Sequence, residues 1–203
     1  MELPEQGVDR YQAIGQHEAG HFFVARAMGF RVEKVTLKFI GRGNEKEPPH
    51  RGEANIHLYR NLLGIDQVSK YLRDRISVLY AGALAEALKG HVIDEEIAKF
   101  SQETNAAVDV AKASEYLEML LNVERGDDVS LADPESRRCT RNALCGELYQ
   151  NAADVVMAHA NAIKVVGAEL ARKAMENWGR EVVLTVDEID RLLSRLDASE
   201  TND

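Results

Sequence analysis

The chain has 203 residues, a length that favours one domain with one hydrophobic core. Hydrophobic residues make up 45% of it and charged residues are spread along it, which excludes wholesale disorder. The formal net charge of −9 argues against a nucleic-acid interface and against an anionic membrane surface, because both need clustered basic residues. The sequence also has no apolar run of bilayer length and no signal-like N-terminus. We therefore expect a cytoplasmic protein that binds neither nucleic acid nor membrane.

The first predicted element is a helix that begins at the N-cap residue Asp9 and ends at Gly29. It contains His17-Glu18-Ala19-Gly20-His21, which is an HExxH pattern. Histidines four residues apart lie on the same face of a helix, so both rings can reach one zinc ion. Glu18 points to the side of such a site, where it can act as general base toward the hydrolytic water. The pattern predicts a zinc hydrolase.

HExxH also occurs by chance in ordinary helices, with two exposed histidines. Gly20 favours the functional interpretation, because a glycine inside a helix costs about 1 kcal/mol against alanine. Such a glycine usually has a packing or functional reason, for example the close approach of another backbone.

Two stretches after this helix alternate apolar and polar residues, which is typical of half-buried strands. They are residues 31–40 and 53–59, and the Gly- and Pro-rich segment between them reads as a loop. We expect them to form a small antiparallel sheet, which is all the β structure that the sequence predicts. The first strand is either the edge onto which an extended substrate peptide adds or a plain structural strand.

The remainder of the chain is predicted to be helical, from the spacing of its apolar residues. The predicted helices are residues 66–88 with an apolar, buried middle, residues 102–123, two helices within 139–179, and a last helix that begins at a capping box of Thr185 and Glu188. The domain spans residues 1–203, with flexible ends at 1–8 and 197–203. Cys139 and Cys145 match no common zinc spacing and are interpreted as unpaired thiols in a reducing compartment.

Several blocks in the same order as in a known family make the chain resemble the peptidase domain of the FtsH-type proteases, which are membrane-bound, ATP-dependent zinc proteases. The blocks are HEAGH, VEKVTL, ISVLYAGALAEAL, a Ser/Asn/Asp-like segment leading into VDVAKA, and the C-terminal LYQNAADVVMAHANAIKVVGAELARKAMENWGREVVLTVDEIDRLL. The resemblance covers most of residues 10–196. It implies a mainly α, helical zincin-like peptidase domain with a small antiparallel β-element after the HExxH helix.

The resemblance further implies that Zn²⁺ is bound by His17, His21 and an acidic residue from a later helix. The family's ligand triplet matches Ser101-Gln102-Glu103, so Glu103 is the expected third ligand. Glu86 is the competing candidate, because an ionised carboxylate in an apolar stretch is expensive to bury without a partner. By resemblance it would instead orient a zinc-bound histidine. Asp109 is expected to be a helix-surface residue or to lie just outside the ligand set.

These expectations describe a zinc metalloendopeptidase that hydrolyses peptides or unfolded proteins, with Glu18 as the catalytic base. The sequence contains no phosphate-binding loop motif, so a separately encoded ATPase is a candidate partner, as are further copies of the chain. The alternative is a catalytically inactive, metal-binding relative that serves as an adaptor or interaction module. It is motivated by Glu103 and Ala83, each of which departs from the family pattern, and by the missing ATPase motif. A helical domain with an accidental HEAGH is the third interpretation.

Overall fold

The computed structural model describes residues 10–40, 49–126, 128 and 132–200, with side chains described up to residue 195. The fold of this part of the chain is mainly α, as predicted. Its helices are α1 (Arg10–Ala27), α2 (Ile65–Glu86), α3 (Glu95–Glu103), α4 (Ala107–Arg125), α5 (Pro134–Ala158), α6 (Ala160–Glu176) and α7 (Val186–Glu200). Its strands are β1 (Arg31–Phe39), β2 (His50–His57), β3 (Leu88–Lys89), β4 (Val92–Ile93) and β5 (Val182–Thr185).

Helix α1 lies in the middle of the hydrophobic core, and every residue from Ala13 to Ala25 is buried. It packs against α2 on one side and α6 on another. A Cβ atom at Gly20 would lie 2.7 Å from the carbonyl oxygen of Ala81 in α2, which is too close for a side chain. The prediction that Gly20 has a packing reason is therefore confirmed. The close approach brings the motif helix and α2 together at the level of the histidines.

The predicted antiparallel pair of strands is confirmed. β1 pairs with β2 from Arg31 opposite His57 to Phe39 opposite His50. The expectation that the β structure ends there was wrong, because β5 pairs antiparallel with the other side of β1, and β3 with β4 in a separate short hairpin. Since β1 lies between two strands, it is structural, and the idea that it receives a substrate strand is incorrect. β2 has one strand partner within the described ranges.

Helix α2 agrees with its prediction, and its residues from Ile76 to Glu86 are all buried. The single helix predicted over residues 102–123 is instead two helices that break at residues 104–106. α3 starts at an N-cap that the sequence analysis did not recognise, where the carboxylate of Asp94 accepts hydrogen bonds from the backbone amides of Glu96 and Ile97. It ends where the backbone of Thr104 leaves helical geometry, at φ −124° and ψ −90°.

The C-terminal helices follow the predicted pattern. α5 and α6 are separated by His159 alone. The capping box before α7 is confirmed: the backbone amide of Thr185 donates to Glu188 Oε2 at 2.9 Å, and the amide of Glu188 donates to Thr185 Oγ1 at 3.4 Å. Helix α7 continues to Glu200, while the predicted flexible residues 1–8 and 201–203 lie outside the described residues. Within the described ranges, none of the helices has the length and apolar character needed to cross a bilayer.

Candidate metal centre

Three side chains converge at one point: His17 and His21 on α1, and Asp109, which follows His21 by 88 residues in the sequence. The Nε2 atoms of the two histidines are 3.0 Å apart. The Oδ2 atom of Asp109 lies 3.1 Å from Nε2 of His21 and 3.5 Å from Nε2 of His17. Asp109 stands in the first turn of α4, which the helix break at residues 104–106 turns toward α1. Each of the three residues thus offers one ligand atom to the same point.

These separations fit a tetrahedral zinc ion. With metal–ligand bonds of about 2.0–2.1 Å, the ligand atoms of a tetrahedral site are about 3.3 Å apart. The three observed separations lie on either side of that value. Two imidazole lone pairs and a carboxylate at this range repel one another unless a proton or a metal ion lies between them. Two histidines and one carboxylate also leave one coordination position open, as catalytic zinc sites do.

The other ring nitrogens of both histidines are held by hydrogen-bond acceptors from α2. Nδ1 of His17 donates to Oε1 of Glu86 at 2.7 Å, and Nδ1 of His21 donates to the carbonyl oxygen of Val78 at 2.7 Å. A carbonyl oxygen can only accept, and a carboxylate ion likewise, so both protons belong on Nδ1. Both Nε2 atoms are then left to face Asp109 as ligands.

Glu86 is buried, with 5% of its surface exposed, and three groups from different parts of the fold surround its carboxylate. Besides His17, Arg10 donates to it at 3.1 Å and Asn105 at 3.2 Å. Burial alone would raise the pKa of Glu86, but the hydrogen bond from His17 and the charge of Arg10 outweigh it and lower the pKa to about 2. The prediction that this acid lies beside the site and orients a histidine agrees with these contacts.

The charge balance of the metal-free site favours a cation. Burial alone would lower the pKa of His17, but hydrogen bonds to Asp109 and Glu86 raise it from 6.5 to about 10. For Asp109, burial opposes ionisation, yet the contacts with His17 and His21 hold its pKa well below the usual range. The metal-free site therefore carries a proton between two carboxylates, and a divalent cation can take the place of that proton.

A glycine in α2 leaves the room that the histidines need. A Cβ atom at Gly82 would lie 2.6 Å from Nε2 of both His17 and His21. Any side chain there would push the two ligand atoms away from each other or from Asp109. Gly82 is thus a component of the site that the sequence analysis did not single out.

Glu18 lies at the wall of a cleft of about 480 Å³ that also contains the three ligand residues. It is buried, with 8% of its surface exposed, and within the described residues no hydrogen bond or ion pair is formed by its carboxylate. β2 approaches it closely at Gly52, where a Cβ atom would lie 2.7 Å from Cδ of Glu18. The carboxylate oxygens of Glu18 are not among the fully buried, unpartnered atoms of the described side chains, so they are open to the cleft. The position of Glu18 beside the ligand atoms of the histidines is the one expected for a general base.

The structure brings together the motif residues His17, Glu18 and His21 but does not bring Glu103 to them. Among the described residues, the group able to hold a metal is His17, His21 and Asp109, whereas Glu103 is exposed at the last position of α3. Glu103 therefore does not fit the expected role of third ligand, and Asp109 is the acid that lies beside the two histidines. The physical reason is the break between α3 and α4: residues on its two sides belong to different helices, and only α4 starts toward the histidines. Recognising that the helix stops at residues 104–106 would have separated Glu103 from the helix that carries Asp109.

Neither a scan against protein-family models nor a search of curated proteins finds a match to this chain.

Proposed function

We propose that this protein is a zinc-dependent endopeptidase that uses His17, His21 and Asp109 as metal ligands and Glu18 as general base. The observation that carries the proposal is the convergence of three ligand atoms at 3.0 to 3.5 Å from one another, with the unpartnered carboxylate of Glu18 in the same cleft. A structural zinc site would need neither an open position nor an adjacent carboxylate that is free to move protons.

The chemistry divides between the metal and the chain's own side chains. When bound, zinc supplies a Lewis acid that lowers the pKa of water toward about 7 and polarises a substrate carbonyl. Glu18 takes the proton from the attacking water and delivers it to the leaving amine. Glu86 and the Val78 carbonyl keep both imidazoles in the tautomer that presents Nε2 to the metal.

An extended peptide fits the cleft better than a compact small molecule. Six consecutive residues of β2, from 51 to 56, line the cleft, and among the described strands only β1 pairs with β2. The side of β2 away from β1, which no described strand occupies, can add a substrate strand by backbone hydrogen bonds, which are independent of the side-chain sequence. This form of binding suits peptides and unfolded proteins and places a bond in the middle of a chain next to Glu18. It supports an endopeptidase.

The proposal includes a reducing, cytoplasmic location and a substrate supply by a separate unfolding partner. Cys139 and Cys145 are both free thiols, as expected where disulfides do not persist. The FtsH-type peptidases remain the family whose motifs this sequence resembles. Asp109 removes one of the two sequence departures that motivated an inactive adaptor, since the geometry no longer depends on Glu103.

The decisive experiment compares the wild-type chain with Glu18→Gln, which keeps all three ligands. We expect each protein to bind about one zinc ion, because both retain the three ligands, and we expect the wild type alone to cleave casein. Zinc without cleavage in either protein would support the inactive adaptor, and the absence of specific zinc binding would rule out both functions. A matched control is Glu103→Gln, which should retain zinc and cleavage.

A further inference from the structure

Two basic residues, Arg75 of α2 and Lys112 of α4, line the cleft that contains the metal centre. Neither forms a hydrogen bond or an ion pair with any described residue. The Nε atom of Arg75 is buried and has no hydrogen-bond partner. By contrast, Arg26, Arg60 and Arg73 each pair with an acid. Basic side chains that line a cleft and have no acid partner among the described residues are available to bind an anionic ligand.

The two basic residues lie on the same side of the metal centre. α2 and α4 are antiparallel neighbours: Ser69 and Arg73 near the start of α2 bond to Glu124 near the end of α4. Farther along α2, Val78 contacts His21, as does Asp109 in the first turn of α4. Arg75 precedes Val78 by three residues and Lys112 follows Asp109 by three. Each is therefore displaced by about 4.5 Å along its helix, in the same direction.

That direction is toward the C-terminal end of β2. Gly52 of β2 lies against Glu18, and eight residues later Arg60 bonds to Asp74, the neighbour of Arg75. A substrate strand along β2 would thus pass the metal first and the basic pair next. Because a strand advances about 3.3 Å per residue, the basic pair lies within about two residues of the bond at the metal.

The remaining charged residues of the cleft are Glu18, Arg51, Glu53 and Asp109, and none of them forms a hydrogen bond or an ion pair with Arg75 or Lys112. Two basic side chains without an acid partner among the described residues repel a basic side chain of a substrate and attract a carboxylate.

We propose that Arg75 and Lys112 bind a substrate carboxylate within about two residues of the scissile bond, so that this cleft selects acidic peptide segments. The inference rests on the proposed peptidase function and names its substrate class. The carboxylate can be a Glu or Asp side chain or the C-terminal carboxylate of the substrate, and the chemistry of recognition is the same for both. The overall acidity of the chain does not oppose it, since interactions beyond about 8 Å are screened at physiological ionic strength.

The test measures the binding of peptides to the zinc-loaded Glu18→Gln protein, which is expected to bind them without cleaving them. The probes are acetylated and amidated peptides of alanine, leucine and glutamine, in which one glutamine at a time is replaced by glutamate or by lysine. We expect one or two adjacent positions at which glutamate lowers Kd by about tenfold to one hundredfold against glutamine, and lysine raises it. Adding Arg75→Gln or Lys112→Gln should reduce that ratio toward one. Arg138→Gln, a basic residue of α5 outside the cleft, should leave it unchanged.

The outcomes are distinguishable. If glutamate gives no advantage at any position, or if its advantage persists in both Arg75→Gln and Lys112→Gln, the proposal is overturned; in the second case the carboxylate is bound by the metal. A second set of peptides with free C-termini identifies the source of the carboxylate. If only a free C-terminus lowers Kd, the basic pair binds the C-terminal carboxylate of the substrate. A glutamate preference that depends on Lys112, in a wild-type chain that cleaves nothing, would support the basic pair while rejecting the peptidase.

Discussion

Nδ1 of His17 lies 2.7 Å from Oε1 of Glu86, across the interface between α1 and α2 and 69 residues apart in the sequence. In the proposed metal centre, this bond makes Glu86 a positioning residue for a ligand rather than a ligand itself. It also links the metal centre to the N-terminal end of α1, because Arg10 binds the other carboxylate oxygen of Glu86.

Replacing Glu86 by glutamine should weaken zinc binding by about 10- to 100-fold, the effect seen for partners of metal-bound histidines. The amide oxygen still accepts a hydrogen bond from His17, but the negative charge that favours the cation is lost. Glu86→Ala should lose more, because it also removes the acceptor. Competition with a chromophoric zinc chelator measures both affinities. Equal affinities for the wild type and both variants would contradict the role assigned to Glu86.

Asp109→Asn should reduce zinc affinity by more than Glu86→Gln, because it removes a ligand charge from the metal itself. Glu103→Gln is the matched control, since Glu103 is an exposed acid of a neighbouring helix. Circular dichroism should give the same helix content for both variants. If Glu103→Gln released zinc and Asp109→Asn retained it, the ligand derived from the resemblance would be right and the geometry wrong.

Gly82→Ala should prevent the two histidines from sharing one metal, because the new methyl group would lie 2.6 Å from both Nε2 atoms. We expect zinc binding and cleavage to fall together. Gly146→Ala provides the control: this glycine is inside α5 and has open space at its Cβ position. Alanine there should stabilise the chain by roughly 0.5–1 kcal/mol in a urea titration and leave zinc binding intact.

Zinc affinity should rise with pH, because the metal must displace the proton of His17, whose pKa in the metal-free site is about 10. Below that pKa one proton is released for each zinc bound at this residue. The apparent affinity should therefore increase by about tenfold per pH unit between about pH 7 and about pH 9. Chelator competition in non-coordinating buffers gives the slope. A slope near zero over this interval would mean that His17 is already neutral.

The free energy of unfolding of the metal-free chain should fall as the pH rises, whereas its zinc affinity should increase. Because folding raises the pKa of His17 from 6.5 to about 10, its contribution is fully present below 6.5 and is lost as the pH rises through about 10. Chemical denaturation of the metal-free protein should thus give a lower free energy of unfolding at about pH 9 than at about pH 6. Substituting His17 by glutamine should flatten this difference; an unchanged pH dependence in that variant would assign it to other groups.

Local signals in the sequence were sufficient to predict α1, β1, β2, α2 and the start of α7. Their periodicity or capping residues act over a few positions, as the capping box of Thr185 and Glu188 illustrates. The motif itself predicted which residues of α1 converge, because four-residue spacing fixes a helix face.

The parts that escaped prediction depend on contacts between distant segments. β5 is four residues long and gains its hydrogen bonds from β1, where Lys34 pairs with Thr185. The position of Asp109 depends on where α3 stops and how α4 leaves it, which apolar periodicity does not encode. Gly82 matters through α1, a helix that is more than fifty residues away in the chain. Packing, rather than propensity, sets these positions.

The pairing of β5 with β1 has a consequence for the order of events in synthesis. All residues of the metal centre precede residue 110, yet the sheet beside them is completed only when residues 182–185 become available. Helix α6, whose Gly167 meets the backbone of Gln16, arrives equally late. A nascent chain on the ribosome thus carries all the side chains of the candidate metal centre before the elements that pack around them have been made. The proposed peptidase should therefore gain its activity only after residues 182–185 have been translated.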